Sequence, residues 1–127
     1  MISRRSGVIL MFGGAADPPR GAHVGSLQVA LHAVEAMRRQ LAVELGEYGV
    51  RVVTLLTSGI PETIPEGVPA RQAIADSIGR STLLGRPATL EDVGSVAAFV
   101  ASDRARTITG ASINISAGTF LDSGEPP

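Results

Sequence analysis

The order of apolar segments over the first 56 residues constrains the fold more than any other feature of this chain. The run 7–12 is apolar throughout and ends in two glycines, a pattern typical of a parallel strand covered on both faces. Residues 50–56 are rich in branched side chains and predict a second strand. A helix over 26–45 is predicted between them by apolar residues that recur with helical spacing: Leu27, Leu31, Val34, Leu41 and Leu45. Together these segments predict a right-handed strand-helix-strand unit.

The rest of the chain predicts more elements of the same α/β kind. Glycines and prolines make 57–69 a loop, and a helix is expected over 70–78. Thr89 and Asp92 fit a capping box that begins a helix running to Ala101. Residues 111–116 alternate like a half-buried edge strand. Gly46 is expected to end the helix over 26–45 with a positive φ.

Length and charge narrow the classes of function. A chain of 127 residues is expected to form one domain, 1–127, with a flexible tail over 121–127. A net charge of -1 provides no basic field for nucleic acid or anionic lipid, and no apolar run is long enough to span a bilayer. The positive amino terminus imitates a signal peptide only weakly. The absence of cysteine fits a reducing compartment, so we expect a cytoplasmic protein without a metal site.

Three segments in sequence order resemble the short-chain dehydrogenase/reductase family. Residues 33–53 are similar to its active-site helix and the strand that follows. Residues 84–93 (LGRPATLEDV) resemble the family's LGR…PEDV entry to a late helix. Residues 99–103 with 108–110 (FVASD…ITG) resemble FLASD…ITG, and 115–118 stand where VDGG closes the domain. The resemblance covers about residues 7–120 and implies a partial Rossmann-like, doubly wound domain of about three parallel strands with flanking helices.

The resemblance implies a catalytic serine, tyrosine and lysine, yet the corresponding positions hold Gly14, Leu27 and Leu31. In the family the tyrosine is the general acid-base for hydride transfer, and the lysine lowers its pKa and holds the ribose. Leucine can neither donate a proton nor stabilise an oxyanion. The chain has no lysine, and Tyr48 is its only tyrosine. Leu27 and Leu31 are therefore interpreted as core residues or as the wall of an apolar pocket.

The family also implies NAD or NADP as cofactor. Its glycine-rich strand-turn-helix for the pyrophosphate has no counterpart in this sequence, so the chain alone is expected to hold the cofactor weakly or not at all. One segment matches a part of the family's sequence that faces the cofactor. Thr57, Ser58, Gly59 and Ile60 occupy the place of the family's PGxI, and Thr63 lies near the threonine that often follows. A plain exit from strand to loop explains the same residues equally well.

Other residues offer a different acid-base site. Asp17, His23 and Ser26 flank the serine and tyrosine positions, and a histidine with a carboxylate can move protons. Asp17 beside Pro18 also fits a turn, and Ser26 fits a helix cap. His32 is interpreted as a surface or interface histidine.

Three hypotheses of function remain open. The chain is the carboxyl-terminal part of an NAD(P)-dependent oxidoreductase, inactive by itself; or a non-catalytic scaffold or apolar-ligand-binding homo-oligomer; or a gene remnant with no independent role. Three strands cut from a wider sheet would expose an apolar edge on the strand that begins at Gly7. We therefore expect the chain to form a homo-oligomer or to continue in a longer protein.

Overall fold

A three-stranded parallel sheet forms the centre of the molecule. The computed structural model describes residues 1–14 and 25–121. Strand β1 is Gly7–Gly13, β2 is Val50–Leu56 and β3 is Ala111–Asn114. The order is β1-β2-β3, with Gly7 opposite Val50 and Val53 opposite Ala111. The predicted α/β class with three parallel strands is confirmed.

Three α-helices accompany the sheet within residues 1–14 and 25–121, and each predicted helix is present. Helix α1 is Gly25–Leu45, α2 is Arg71–Arg80 and α3 is Leu90–Ala101. Short 3-10 turns connect these elements at Ile2–Arg4, Gly46–Tyr48, Pro61–Thr63 and Asp103–Ala105. No helix of the described ranges is both long and apolar enough to cross a membrane.

Strand β2 is the centre of the core because it is paired on both edges and covered on both faces. Side chains from Val53 and Leu55 on one face meet Val100 of α3, and all three are fully buried. Val52 and Thr54 point to the other face and are equally buried. Helix α1 lies over that face. Alternate residues of one strand therefore contact two different helices, which is why its sequence is almost entirely apolar.

Strand β1 differs from the prediction that both of its faces would be covered. Its residues are only partly buried, and Phe12 is 58% exposed. The physical reason is its place at the edge of the described sheet, where only β2 pairs with it. Strand β3 is the opposite edge, as predicted, although it ends at Asn114 rather than at residue 116. Ile115 N still donates to Leu56 O at 2.7 Å, so the ladder continues briefly beyond the strand.

The end of α1 is also built differently from the prediction. The chain continues past Leu45 into the 3-10 turn that contains Tyr48, and the positive φ falls on Gly49 (68°) instead of Gly46. Gly49 N donates to Gly46 O at 2.9 Å. A side chain at Gly49 would collide with the backbone oxygen of Arg5, so close packing adds a second reason for glycine there.

Helix α3 begins with the predicted capping box. Thr89 Oγ1 accepts a hydrogen bond from Asp92 N at 3.0 Å, and Asp92 Oδ2 accepts one from Thr89 N at 3.0 Å. The hydrogen bonds that Thr89 N and Thr89 Oγ1 donate to Asp92 Oδ2 lower the pKa of Asp92, because they favour the ionised carboxylate. The two residues therefore fix the first turn of the helix, as their spacing indicated.

A charged cluster joins α1 to the sheet. Glu35 Oε2 accepts from Arg38 Nη2 at 3.0 Å and from Ser112 Oγ at 2.8 Å. Arg38, only 7% exposed, also donates to Gly110 O. The buried Thr54 hydroxyl lies close enough to favour ionised Glu35, although Thr54 Oγ1 and Glu35 Oε1 are outside hydrogen-bond geometry. The cluster thus ties one turn of α1 to both β2 and β3.

The pKa of Glu35 reflects two opposing effects. Burial raises the pKa, whereas the nearby Thr54 hydroxyl, the hydrogen bonds from Arg38 and Ser112 and the positive charge of Arg38 lower it and prevail, so it lies below its ordinary value of 4.5. Ionised Glu35 therefore stabilises the fold above pH 4.5. This contribution is lost as the pH falls below 4.5 through the lowered folded-state pKa.

We expect Glu35→Gln to lower the free energy of unfolding at pH 7 by about 1–3 kcal/mol, because charge-assisted hydrogen bonds become neutral ones. The difference from wild type should shrink as the pH falls below 4.5. Urea unfolding at pH 7 and at lower pH measures both effects. Glu44→Gln is the matched control, since exposed Glu44 accepts only from Gln40 among the described residues. A difference that does not change with pH would contradict this account.

Candidate functional site

The candidate site lies at the carboxyl edge of the sheet, where β1 and β2 end side by side. Thr57 N donates to Gly13 O at 3.0 Å, and Thr57 Oγ1 lies 3.4 Å from the same oxygen. These bonds bring Gly14 next to the beginning of the 57–63 segment. In parallel α/β sheets ligands bind outside this edge, because the strands end there and the loops diverge.

Gly14 and Leu31 meet at this edge. A Cβ built on Gly14 would lie 3.9 Å from Leu31 Cδ1 and 3.2 Å from Thr57 O. Two of the three positions that the family resemblance assigns to catalysis are therefore neighbours in space, and neither side chain can transfer a proton. Leu31 is partly buried, which agrees with its interpretation as a core or pocket-wall residue.

Leu27 fits only part of the same interpretation. It is 53% exposed, so the core position is wrong. The alternative, that it lines an apolar pocket, stays a prediction. Ser26 lies inside the helix that begins at Gly25, so it is not the cap that the sequence suggested. Asp17 and His23, the other members of the alternative acid-base set, lie outside the described residues.

The segment Thr57, Ser58, Gly59, Ile60 and Thr63 leaves the sheet directly above this edge. Within the described residues, the amide groups of Ser58, Gly59 and Ile60 donate no hydrogen bond. The Thr63 hydroxyl donates to Ile60 O at 2.7 Å, so it is already engaged with its own backbone. The segment consequently presents backbone donors more than side-chain groups.

Neighbouring elements hold this segment on two sides. A Cβ on Gly59 would lie 2.8 Å from Ile78 Cδ1, so a larger residue there would displace the Ile78 side chain of α2. Ser58 Oγ lies 3.4 Å from Ser116 O, and Thr119 Oγ1 lies 3.2 Å from Ser58 Oγ. These contacts connect the segment to the chain that follows β3.

Glu62 anchors the segment to α3, a link that the sequence analysis did not identify. Its Oε2 accepts a hydrogen bond from Leu90 N at 2.6 Å, at the amino end of the helix. A carboxylate at that end satisfies a free amide and interacts favourably with the helix dipole. Because Glu62 and Leu90 are 28 residues apart, only the folded chain shows the pairing.

An apolar groove of about 700 Å³ lies beside the site, at the carboxyl end of β3. Its walls come from α3, from the turn before α3 and from the chain after β3, and they include Leu83, Leu84, Val96, Ile115, Phe120 and Leu121. The sequence analysis missed this groove because its lining residues come from three separated segments. The described residues hold no group of three or more His, Asp or Glu side chains that could bind a metal ion.

The sheet, its crossover helix and the position of the site define a Rossmann-like α/β protein. A family profile described as enoyl-(acyl carrier protein) reductase matches residues 2–119. The chain belongs to the short-chain dehydrogenase/reductase family, as the three segments between residues 33 and 118 indicated.

Individual relatives support the same assignment. The chain is 36% identical to meso-2,3-butanediol dehydrogenase of Serratia marcescens over 94 residues, which cover 74% of this chain and 37% of that protein. It is 33% identical to the NADH-dependent enoyl-(acyl-carrier-protein) reductase of Haemophilus influenzae over 90 residues, covering 71% and 34% of the two chains.

A solved structure shows the corresponding fold. The enoyl-acyl carrier protein reductase of Bacillus cereus, in complex with NADP+ and indole naphthyridinone, superposes with a TM-score of 0.75 at 29% identity. The superposition covers 91% of this chain and 46% of that one. The chain thus spans between about a third and a half of the length of these relatives.

We expect Glu62→Ala to loosen the 57–63 segment, because Leu90 N loses its acceptor. Amide hydrogen exchange over residues 57–64 should become about 2–10 times faster, with global stability lowered by no more than about 1 kcal/mol. Glu66→Ala is the matched control, since Glu66 is an exposed acid of the same loop. Exchange that is equally fast in both variants would show that Glu62 does not anchor the segment.

Proposed function

We propose that this chain is the carboxyl-terminal half of an NAD(P)-dependent oxidoreductase unit and does not catalyse hydride transfer by itself. In this proposal the 57–63 segment faces the nicotinamide end of the cofactor. A nucleotide-binding half holds the rest of the cofactor. That half belongs to a longer form of this chain or to a separate polypeptide. The proposal includes the single domain 1–127 and a cytoplasmic location.

One observation supports the lack of independent catalysis most directly. Gly14 and Leu31 lie against each other beside Thr57 at the edge where the family performs its chemistry. Hydride transfer to a carbonyl needs a proton donor within hydrogen-bond reach of the oxygen. The side chains at these two positions supply none, and neither does exposed Leu27.

The residues present fit one end of a dinucleotide better than the other. Since the amides of Ser58, Gly59 and Ile60 donate no hydrogen bond within the described part of the chain, we propose them as donors for a carboxamide oxygen. A pyrophosphate, in contrast, needs a glycine-rich turn before a helix, and the described residues contain none. The Haemophilus influenzae relative is named for NADH, and the Bacillus cereus relative is bound to NADP+. They support either nicotinamide cofactor for the whole unit.

Cofactor binding by the chain alone tests the first part of this proposal. Titration with NADH and NADPH, followed by nucleotide fluorescence, should give no saturation below roughly 1 mM, because only the nicotinamide end finds donors. Micromolar binding of either nucleotide would contradict the need for a second half.

Restoring the family side chains tests the second part. When the nucleotide-binding half of the B. cereus reductase is fused before residue 1, we expect the fusion to bind NADH but to oxidise it only at the background rate. The same fusion with Gly14→Ser, Leu27→Tyr and Leu31→Lys should oxidise NADH at least about 100-fold faster than that background. A fusion with Leu27→Phe and Leu31→Met is the matched control. Equal turnover in all fusions would show that these positions do not limit catalysis.

The apolar groove favours a second candidate function. The groove at the end of β3 has the size and apolar lining typical of a small-molecule site. Its lining residues differ from Leu27 and Leu31, where the sequence analysis placed an apolar ligand. A non-catalytic protein that binds an apolar ligand there, as a homo-oligomer, is the alternative. Saturable binding of a fluorescent fatty acid, lost in Val96→Arg, would favour it over the oxidoreductase unit.

A further inference from the structure

The amino ends of the strands form a basic end of the molecule, which the net charge of -1 conceals. Residues 1–6, 46–51 and 102–110 lead into β1, β2 and β3. These segments hold two acids, Glu47 and Asp103, and five arginines: Arg4, Arg5, Arg51, Arg104 and Arg106. Five positive side chains less two negative ones give this end +3, so the remaining residues together carry -4. A local excess of positive charge attracts anions whatever the total charge is.

A cleft of about 450 Å³ opens at this basic end. Its volume is within the range of small-molecule sites. We call it the arginine cleft, and the polar side chains that line it are Ser6, Arg51, Asp103, Arg106 and Thr109. The apolar groove beside β3 has mainly aliphatic and aromatic walls. The arginine cleft is therefore suited to a polar ligand instead.

The Arg51 guanidinium is held in place inside the arginine cleft. Its Nη1 donates to Ile108 O and its Nη2 donates to Ser102 O, both at 3.3 Å. A guanidinium has more N–H groups than these two bonds use, so the others are left for a further acceptor. Among the described residues only Arg38 and Arg86 form salt bridges, so the partly buried charge of Arg51 has no carboxylate partner there. A bound anion would stabilise that charge.

Arg106 and two hydroxyl groups add to the positive and donating character of the cleft. The Arg106 side chain is exposed and makes no hydrogen bond within residues 1–14 and 25–121. Thr109 Oγ1 accepts from Val52 N at 3.0 Å, which leaves the hydroxyl hydrogen of Thr109 for another acceptor. Asp103 is the single acid of the lining and opposes an anion. Two arginines outnumber it, so the lining keeps a positive charge.

We propose that the arginine cleft binds the phosphate group of a small, polar phosphate monoester. Such a group carries close to two negative charges at pH 7 and three acceptor oxygens. It can therefore offset Arg51 and Arg106 together and still accept from a hydroxyl. A carboxylate has one charge and two oxygens and matches the lining less well. This site goes beyond the proposed function, because it lies at the end of the strands opposite to the 57–63 segment.

An NMR titration of the full, ¹⁵N-labelled chain at constant ionic strength tests the proposal. Inorganic phosphate should cause saturable shifts of the amides in 6–8, 46–51 and 101–109, with a Kd on the order of 1–10 mM. Glycerol 3-phosphate should bind at least about threefold more tightly than inorganic phosphate, because the cleft has room for the glycerol part. Acetate should bind at least about fivefold more weakly than inorganic phosphate, since it has one charge.

Three variants separate the arginine cleft from general charge attraction. Arg106→Gln should raise the Kd for glycerol 3-phosphate at least about fivefold, and Asp103→Asn should lower it at least about twofold. Arg104→Gln is the matched control, since it removes the same charge from the same turn but Arg104 does not line the cleft. It should change the Kd by less than about twofold. All three side chains are exposed, so the thermal melts should be alike.

The proposal is overturned by shifts that grow without saturation, by acetate that binds as tightly as phosphate, or by Arg104→Gln and Arg106→Gln weakening binding equally. Binding to vesicles that contain phosphatidic acid, without binding to glycerol 3-phosphate, would identify a membrane surface instead and would also overturn it. NADH contains no phosphate monoester, so Arg106→Gln should leave the NADH titration of the proposed function unchanged. The two inferences are therefore judged separately.

Discussion

The pairing of β2 with a strand on each side is the interaction on which the rest of this structure depends. Both edges of β2 are hydrogen-bonded and its side chains at positions 52–55 are fully buried, so it fixes the plane of the sheet and both layers that cover it. The end of this strand also fixes the site, because Thr57 is bonded to Gly13 at the point where the two strands stop. A parallel sheet gathers its strand ends in one place, and among the described residues it brings Gly14 next to Leu31, neither of which carries a proton-transfer group.

Helix α1 links the core, the site and the outer surface through one rigid body. The cluster of Glu35, Arg38 and Ser112 sets how the helix is rotated about its axis, because a buried charge tolerates few arrangements. With that rotation fixed, Leu31 faces Gly14, and Val29 and Val43 point outward. The same helix that carries the acid-base pair in its family here carries an apolar contact and an exposed apolar surface.

The sequence predicted the strands and helices themselves more closely than the burial of their residues. Strand β2 was predicted with its observed bounds, and the Thr89–Asp92 capping box was correct, because both depend on neighbours in the sequence. Burial was less predictable. The covered faces expected for β1 and the core position expected for Leu27 were wrong, since the sequence pattern indicates which side is apolar but not whether another element reaches it. The Glu62 anchor joins residues 28 positions apart and has no local signal.

The sequence by itself determined the family, the order of the strands and helices along the chain, and the absence of lysine with Tyr48 as the only tyrosine. These are properties of residue identity and spacing, which the chain carries whether or not it is folded. Only the tertiary structure decided that Gly14 and Leu31 are neighbours, that an apolar groove forms beside β3, and that Val29 and Val43 are left exposed. Each of these depends on distances between segments far apart in the chain, and such distances exist only after the sheet has paired and the helices have packed on it.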